Sequence, residues 1–142
     1  MTQLRVQGMA RLQAELLALA SDVKDAVEGV VMETAANLEA DIKLRHRSGG
    51  RTGETYLRGT VSHIASAPGE APAVDIGDLL GSIYHEKVSK LSAVVGSRLE
   101  KSFYLEEGTT RIKPRPMWTP AAEAIAPSFR ASMEAAIGRA VR

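Results

Sequence analysis

No proline interrupts the chain between Leu4 and His46, and throughout that stretch apolar residues return every three or four positions. Met9, Leu12, Leu16, Leu19, Val23, Val27, Val31, Ala35, Leu38 and Ile42 make the stripe. The opposite face carries Arg11, Glu15, Asp22, Lys24, Asp25, Glu28, Glu39 and Lys43. That period predicts one amphipathic helix, stopped near Arg47 by Ser48-Gly49-Gly50. About forty helical residues span roughly 60 Å, whereas a domain of this size is about 30 Å across. Either Gly29 marks a break or part of the helix projects and packs on another subunit.

The far end of the chain predicts a second helix. Thr119-Pro120 suits an N-cap followed by proline in the first turn, and Ile125, Phe129, Met133, Ile137 and Val141 recur every fourth residue. Pro127 is expected to kink or restart it. Between the helices the signals are shorter. Thr55–Leu57 and Thr60–Ile64 suit a hairpin around Arg58-Gly59. Asp75 suits the N-cap of a short helical turn through Leu79, Leu80 and Ile83. Ile83–Lys90 and Ser92–Gly96 form a hairpin across the tight connection Lys90-Leu91. Lys101–Glu107 is a short helix with Phe103, Tyr104 and Leu105 partly buried, ended by Gly108. The whole is an α+β fold, a small antiparallel sheet packed by a long N-terminal helix and a C-terminal helix. It forms one domain over residues 1–142, with the long helix in 1–47, sheet, loops and short helices in 48–118, and the last helix in 119–142.

Composition narrows the function. Apolar residues make up 44% of the 142 positions but aromatics only 4%, so the core rests on aliphatic residues and alanine. Eighteen basic against seventeen acidic residues leave a net charge of +1, too balanced for a protein that wraps duplex DNA. With no cysteine, disulfides and thiolate metal sites are excluded. No run of about 18 apolar residues marks a membrane span, and the amphipathic start lacks a signal-peptide core. A soluble protein made in a reducing cytoplasm is expected.

The distinctive stretch is Ser66-Ala67-Pro68-Gly69-Glu70-Ala71-Pro72-Ala73-Val74-Asp75-Ile76-Gly77. Its prolines fix φ and push their predecessors towards extended backbone, and Gly69 after Pro68 suits the positive φ of a type II turn. Around it stand Ser48-Gly49-Gly50-Arg51-Thr52-Gly53, Gly77-Asp78-Leu79-Leu80-Gly81-Ser82-Ile83, Val95-Gly96-Ser97, Tyr104-Leu105-Glu106-Glu107-Gly108-Thr109, Arg115-Pro116 and Pro120-Ala121. In this order and spacing the set resembles the small neck or tail-completion proteins of long non-contractile-tailed bacteriophages, over residues 45–125 in motif detail. Ser66–Ala73 and Tyr104–Thr109 are its most specific pieces.

The resemblance implies a structural ring subunit at the head-tail joint or the head-proximal end of the tail, not an enzyme, needed for tail completion and head-tail joining. It implies a cyclic homo-oligomer of sixfold symmetry. Its neighbours are connector or head-completion proteins and tail-tube or tail-terminator proteins, with genomic DNA close by in the channel. It also implies a place in the virion after assembly in the host cytoplasm. Arg51, Pro68, Gly69, Glu70, Pro72, Glu106, Glu107 and Arg115 are the expected subunit or partner contacts. The prolines make Ser66–Ala73 a pre-formed surface, while Arg51 and the glycine-rich Ser48–Gly53 stretch are expected to be mobile and to order on docking. Lys43, Arg45 and Arg47 either complement the negative end of the first helix or, with Arg111 and Lys113, form a basic rim facing DNA or an acidic neighbouring ring. An alternative function is a small DNA-binding module acting through the basic clusters at 43–51 and 111–115.

Catalytic patterns are not apparent. His46, His63 and His85 fall in separate elements without metal-ligand spacing or a nearby carboxylate cluster. Glu106 and Glu107 diverge by about 100° on a helix, unlike an acid/base pair, and suit a salt bridge or subunit contact involving Arg111 or Arg115. Ser48–Gly53 lacks the Gly-Lys-Ser/Thr ending of a phosphate loop. No cofactor is expected.

Overall fold

The computed structural model describes residues 8–142, and the expected helix start at Leu4 lies outside them. Helix α1 (Met9–Arg47) runs unbroken through Gly29, which resolves the choice between a break and a projection. Helix α4 (Trp118–Ala140) packs antiparallel to it. Ala121 meets the core at the level of Ile42, and Ala136 and Ala140 lie beside Asp22, Ala26 and Glu33. The part of α1 before Asp22 therefore extends past the end of α4, by roughly 20 Å at 1.5 Å per residue.

Two hairpins stand where one small sheet was expected. Strands β1 (Thr55–Arg58) and β2 (Val61–Ile64) pair antiparallel, Thr55 opposite Ile64 and Arg58 opposite Val61. Gly59, at φ 60°, and Thr60 make the turn, one residue later than the sequence suggested. Strands β3 (Ile83–Ser89) and β4 (Ser92–Ser97) pair through the expected Lys90-Leu91 turn. This second hairpin lies along α1, where Lys90 pairs with Asp25, Lys87 with Glu28 and His85 with Glu39. Two short helices, α2 (Asp78–Ser82) and α3 (Lys101–Glu107), complete the chain. Among the described residues no helix is long and apolar enough to cross a membrane.

The buried core is small and sits at the C-terminal half of α1. Ile42, Leu79, Ile83, Met117 and Ala121 form it, with Leu38, Val95, Leu105 and Trp118 packed around. On α4 the buried residues are the alanines 121 and 136, while Phe129 and Ile137 remain 36% and 38% exposed. The four-residue apolar stripe of α4 is thus only partly covered.

Three local expectations fail for identifiable reasons. Asp75 does not cap α2, because its carboxylate is taken by Arg58 at 2.7 Å and lies 3.6 Å from His63. Gly77, in the left-handed region at φ 83°, precedes the helix instead. Pro127 neither ends nor restarts α4, since it lies on an exposed turn with Glu123 four residues before it. There water can take the carbonyl that proline leaves without a donor. Phe103 is 63% exposed and Tyr104 40%, because α3 turns Leu105, not its aromatics, towards the core.

Candidate functional site

The sequence segments singled out above meet at the end of α1 in a clasp of three loops. The first is the proline loop. Ala67, Pro68, Gly69 and Glu70 form the expected turn, with Gly69 at φ 85° and the Glu70 amide bonded to the Ala67 carbonyl at 3.1 Å. Glu70 then fastens two loops together. One carboxylate oxygen accepts the Ala67 amide at 2.8 Å and the other accepts the Thr52 hydroxyl at 2.6 Å. The Thr52 hydroxyl, and then the Ala67 amide, hold its carboxyl below the usual range.

The glycine-rich stretch 48–53 is the second loop, and it is packed rather than loose. A Cβ on Gly49 would stand 2.5 Å from the Pro72 carbonyl oxygen, and one on Gly53 would stand 2.6 Å from that of Ser66. The Gly53 amide donates to Ala65 at 2.9 Å. Here glycine provides close backbone approach, and the expected mobility gives way to a fitted contact. Arg51 is exposed on its rim.

Pro72 is buried, which corrects its placement on a contact surface. Its carbonyl accepts from Nδ1 of His46 at 2.6 Å, tying the loop to the last turn of α1. Burial lowers the pKa of His46 below 6.5, and the bond to Pro72 opposes this only in part. The imidazole is therefore neutral, with its proton on Nδ1. Pro68 and Gly69 remain exposed at the loop tip.

The third loop runs from α3 to α4. Arg115 donates through its amide to the Leu105 carbonyl at 2.6 Å and through Nε to the Ser66 carbonyl at 3.0 Å. The Gly69 amide donates to Pro114 at 2.9 Å. Glu106 closes the loop without forming a salt bridge. Its carboxylate accepts the amides of Met117, Trp118 and Thr119 at 2.7, 3.0 and 2.8 Å, capping α4 from another element. Burial opposes ionisation of Glu106. The amides of Thr119, Trp118 and Met117 outweigh it and leave the carboxyl below its usual range. This replaces the expected Thr119 cap, and Pro120 sits in the first turn where its missing donor costs nothing. Trp118 donates Nε1 to the Ser102 hydroxyl at 2.8 Å. Glu107, next to Glu106, is exposed and pairs with neither Arg111 nor Arg115.

Basic residues surround the clasp unequally. Lys43 pairs with Glu39, and Arg45 pairs with Asp41 at 2.7 Å. Arg47, Arg51, Arg111 and Lys113 are exposed. A cavity of about 150 Å³ opens inside the clasp, lined in part by His46, His63, Asp75, Asp78, Lys101 and Arg115. Most of these groups are committed to one another: Asp75 to Arg58 and His63, Asp78 to Lys101, and His46 to Pro72. Lys101 holds the Asp78 carboxyl below its ordinary pKa. No serine or threonine stands beside a free base in this set, and among the described residues no group of three metal-binding side chains converges. The bonds of His46, Glu70, Glu106 and Arg115 hold backbone. His63 and His85 each face a carboxylate, Asp75 and Glu39, a pairing the sequence does not display because the partners are distant in the chain. No protein family, curated protein or solved structure matches the chain.

Proposed function

We propose that the chain is a structural ring subunit of a bacteriophage virion, placed at the head-tail joint or the head-proximal end of the tail. The observation that carries this reading is the clasp. The segments on which the phage resemblance rests, Ser66–Ala73, Tyr104–Thr109 and Arg115, are distant in sequence yet converge through the bonds of Glu70, Glu106 and Arg115. A shape fixed before docking loses little entropy on binding a neighbouring ring. The exposed loop tip, Pro68-Gly69, and the exposed Arg51 and Glu107 are its contact residues. Ile137 and Val141, 38% and 54% exposed at the far end of α4, supply apolar surface for a cyclic homo-oligomer, sixfold by the resemblance.

Complementation of a phage lacking the protein tests this reading. Pro68→Gly with Glu107→Ala touches exposed positions, so circular dichroism should match the parent. Virions should then be lost, and electron microscopy should show separate heads and tails. Normal complementation sinks the proposal. The alternative, a DNA-binding module using Arg47, Arg51, Arg111 and Lys113, requires affinity for duplex DNA that falls steeply with salt.

A further inference from the structure

The N-terminal arm of α1 exposes Met9, Leu12, Leu16 and Leu17, at 69, 50, 57 and 66%. Farther along the same helix an open apolar groove of about 480 Å³ runs between α1, β4 and α4, lined in part by Val31, Thr34, Leu38, Val95, Ile125 and Phe129. Gln13, Leu16 and Leu17 line the arm's own apolar hollow. They precede Val31, Thr34 and Ala35 by 18 positions, about five full turns at 3.6 residues each. Arm and groove therefore share one face of α1 and lie roughly 27 Å apart along it. Because α1 is continuous, the arm cannot reach the groove of its own chain.

We propose that a second copy of this chain fills the groove. In the pair the two α1 helices lie antiparallel across this face, about a two-fold axis between Val23 and Val27, each arm seated in the other's groove. The stripe is self-complementary in that register: Leu12 falls opposite Leu38, Leu16 opposite Thr34, Leu19 opposite Val31, and Val23 opposite Val27. The charged partners of the β3–β4 hairpin, Asp25, Glu28 and Glu39, stay on other sides of the helix, engaged with Lys90, Lys87 and His85. One contact made twice is the signature of a two-fold interface, and the pairing covers the exposed apolar patch of both copies. The pair is a property of the free chain and does not depend on the ring reading.

Sedimentation of the purified full chain across a concentration series tests the mass, and cysteine cross-linking tests the register in a protein that has no cysteine of its own. The parent should sediment as a dimer. Leu16→Glu, at an exposed position outside the core, should sediment as a monomer with an unchanged circular dichroism spectrum. The double variant Leu16→Cys, Thr34→Cys should oxidise to a covalent dimer. Leu16→Cys alone should not, because its two thiols lie far apart in this register. A parent that stays monomeric, one that forms rings or other higher oligomers, or a Leu16→Cys variant that links to itself overturns the proposal.

Discussion

The clasp and the N-terminal arm of α1 are opposite solutions to the same shortage of core. At the clasp few apolar side chains are buried, and order comes from polar groups that tie segments together: Glu106 holds three amides, Glu70 the Ala67 amide and the Thr52 hydroxyl, and Arg115 the Leu105 and Ser66 carbonyls. The arm has the stronger apolar pattern and yet none of the described residues covers it. Amphipathic periodicity thus reveals which face of a helix avoids water, but not what covers it. Irregular loops carry unmatched donors and acceptors, and these must find specific partners.

The sharpest way to break this contrast is through the apolar residues that do anchor the clasp. Ile42 is fully buried beneath it, so Ile42→Ala should cost about 2–5 kcal/mol in urea unfolding. A loss near zero would mean that the loops stand without the core. Next, Glu106→Ala strips three amides of their acceptor and should cost about 1–3 kcal/mol. Since its carboxyl titrates below the ordinary 4.5 in the fold, the contribution is present above that pH and is lost as pH falls through the depressed value. Acid unfolding curves of parent and variant should converge there.

A smaller effect separates His46 from the acidic groups. Its pKa is depressed in the fold, so below pH 6.5 the unfolded chain binds more protons than the folded one. Stability should fall as pH drops through 6.5 and level off once the folded imidazole is also charged. His46→Asn should flatten that slope, and an unchanged slope would assign the proton elsewhere. The smallest change belongs to the arm. In the monomeric Leu16→Glu background, Leu12→Ser should move the unfolding free energy by no more than about 0.5 kcal/mol, as surface substitutions do. A larger loss would show that the arm is held within its own chain.

Much of the fold was legible in the sequence, and the reason differs by element. Helix α1 was visible through its long period, α3 through its length and the glycine that ends it, and the β3–β4 hairpin through its short connection. The turn at Pro68-Gly69 was visible because proline and glycine each dictate a φ. The roles of Glu106, His46 and Asp75 were not visible. Each acts on a partner 11 or more residues away, brought close only by the packing of α1, α3 and the loops. Glycines 49 and 53 misled for a related reason: composition cannot separate glycine that confers freedom from glycine that admits a neighbour. Pro127 misled because its cost depends on solvent at that turn, which sequence does not display.

The fitted glycines also decide where foreign sequence can be spliced into this protein. Ser48–Gly53 looks like a natural site for a tag, yet even one methyl group at Gly49 or Gly53 would run into backbone. The tip of the β1–β2 hairpin offers the room that stretch lacks: Gly59 has no atom within 4 Å of an added Cβ, and Thr60 beside it is exposed. A short epitope between those two residues would lengthen a surface turn at little cost in free energy. A label placed there would mark the protein in a micrograph while leaving the clasp and the arm untouched.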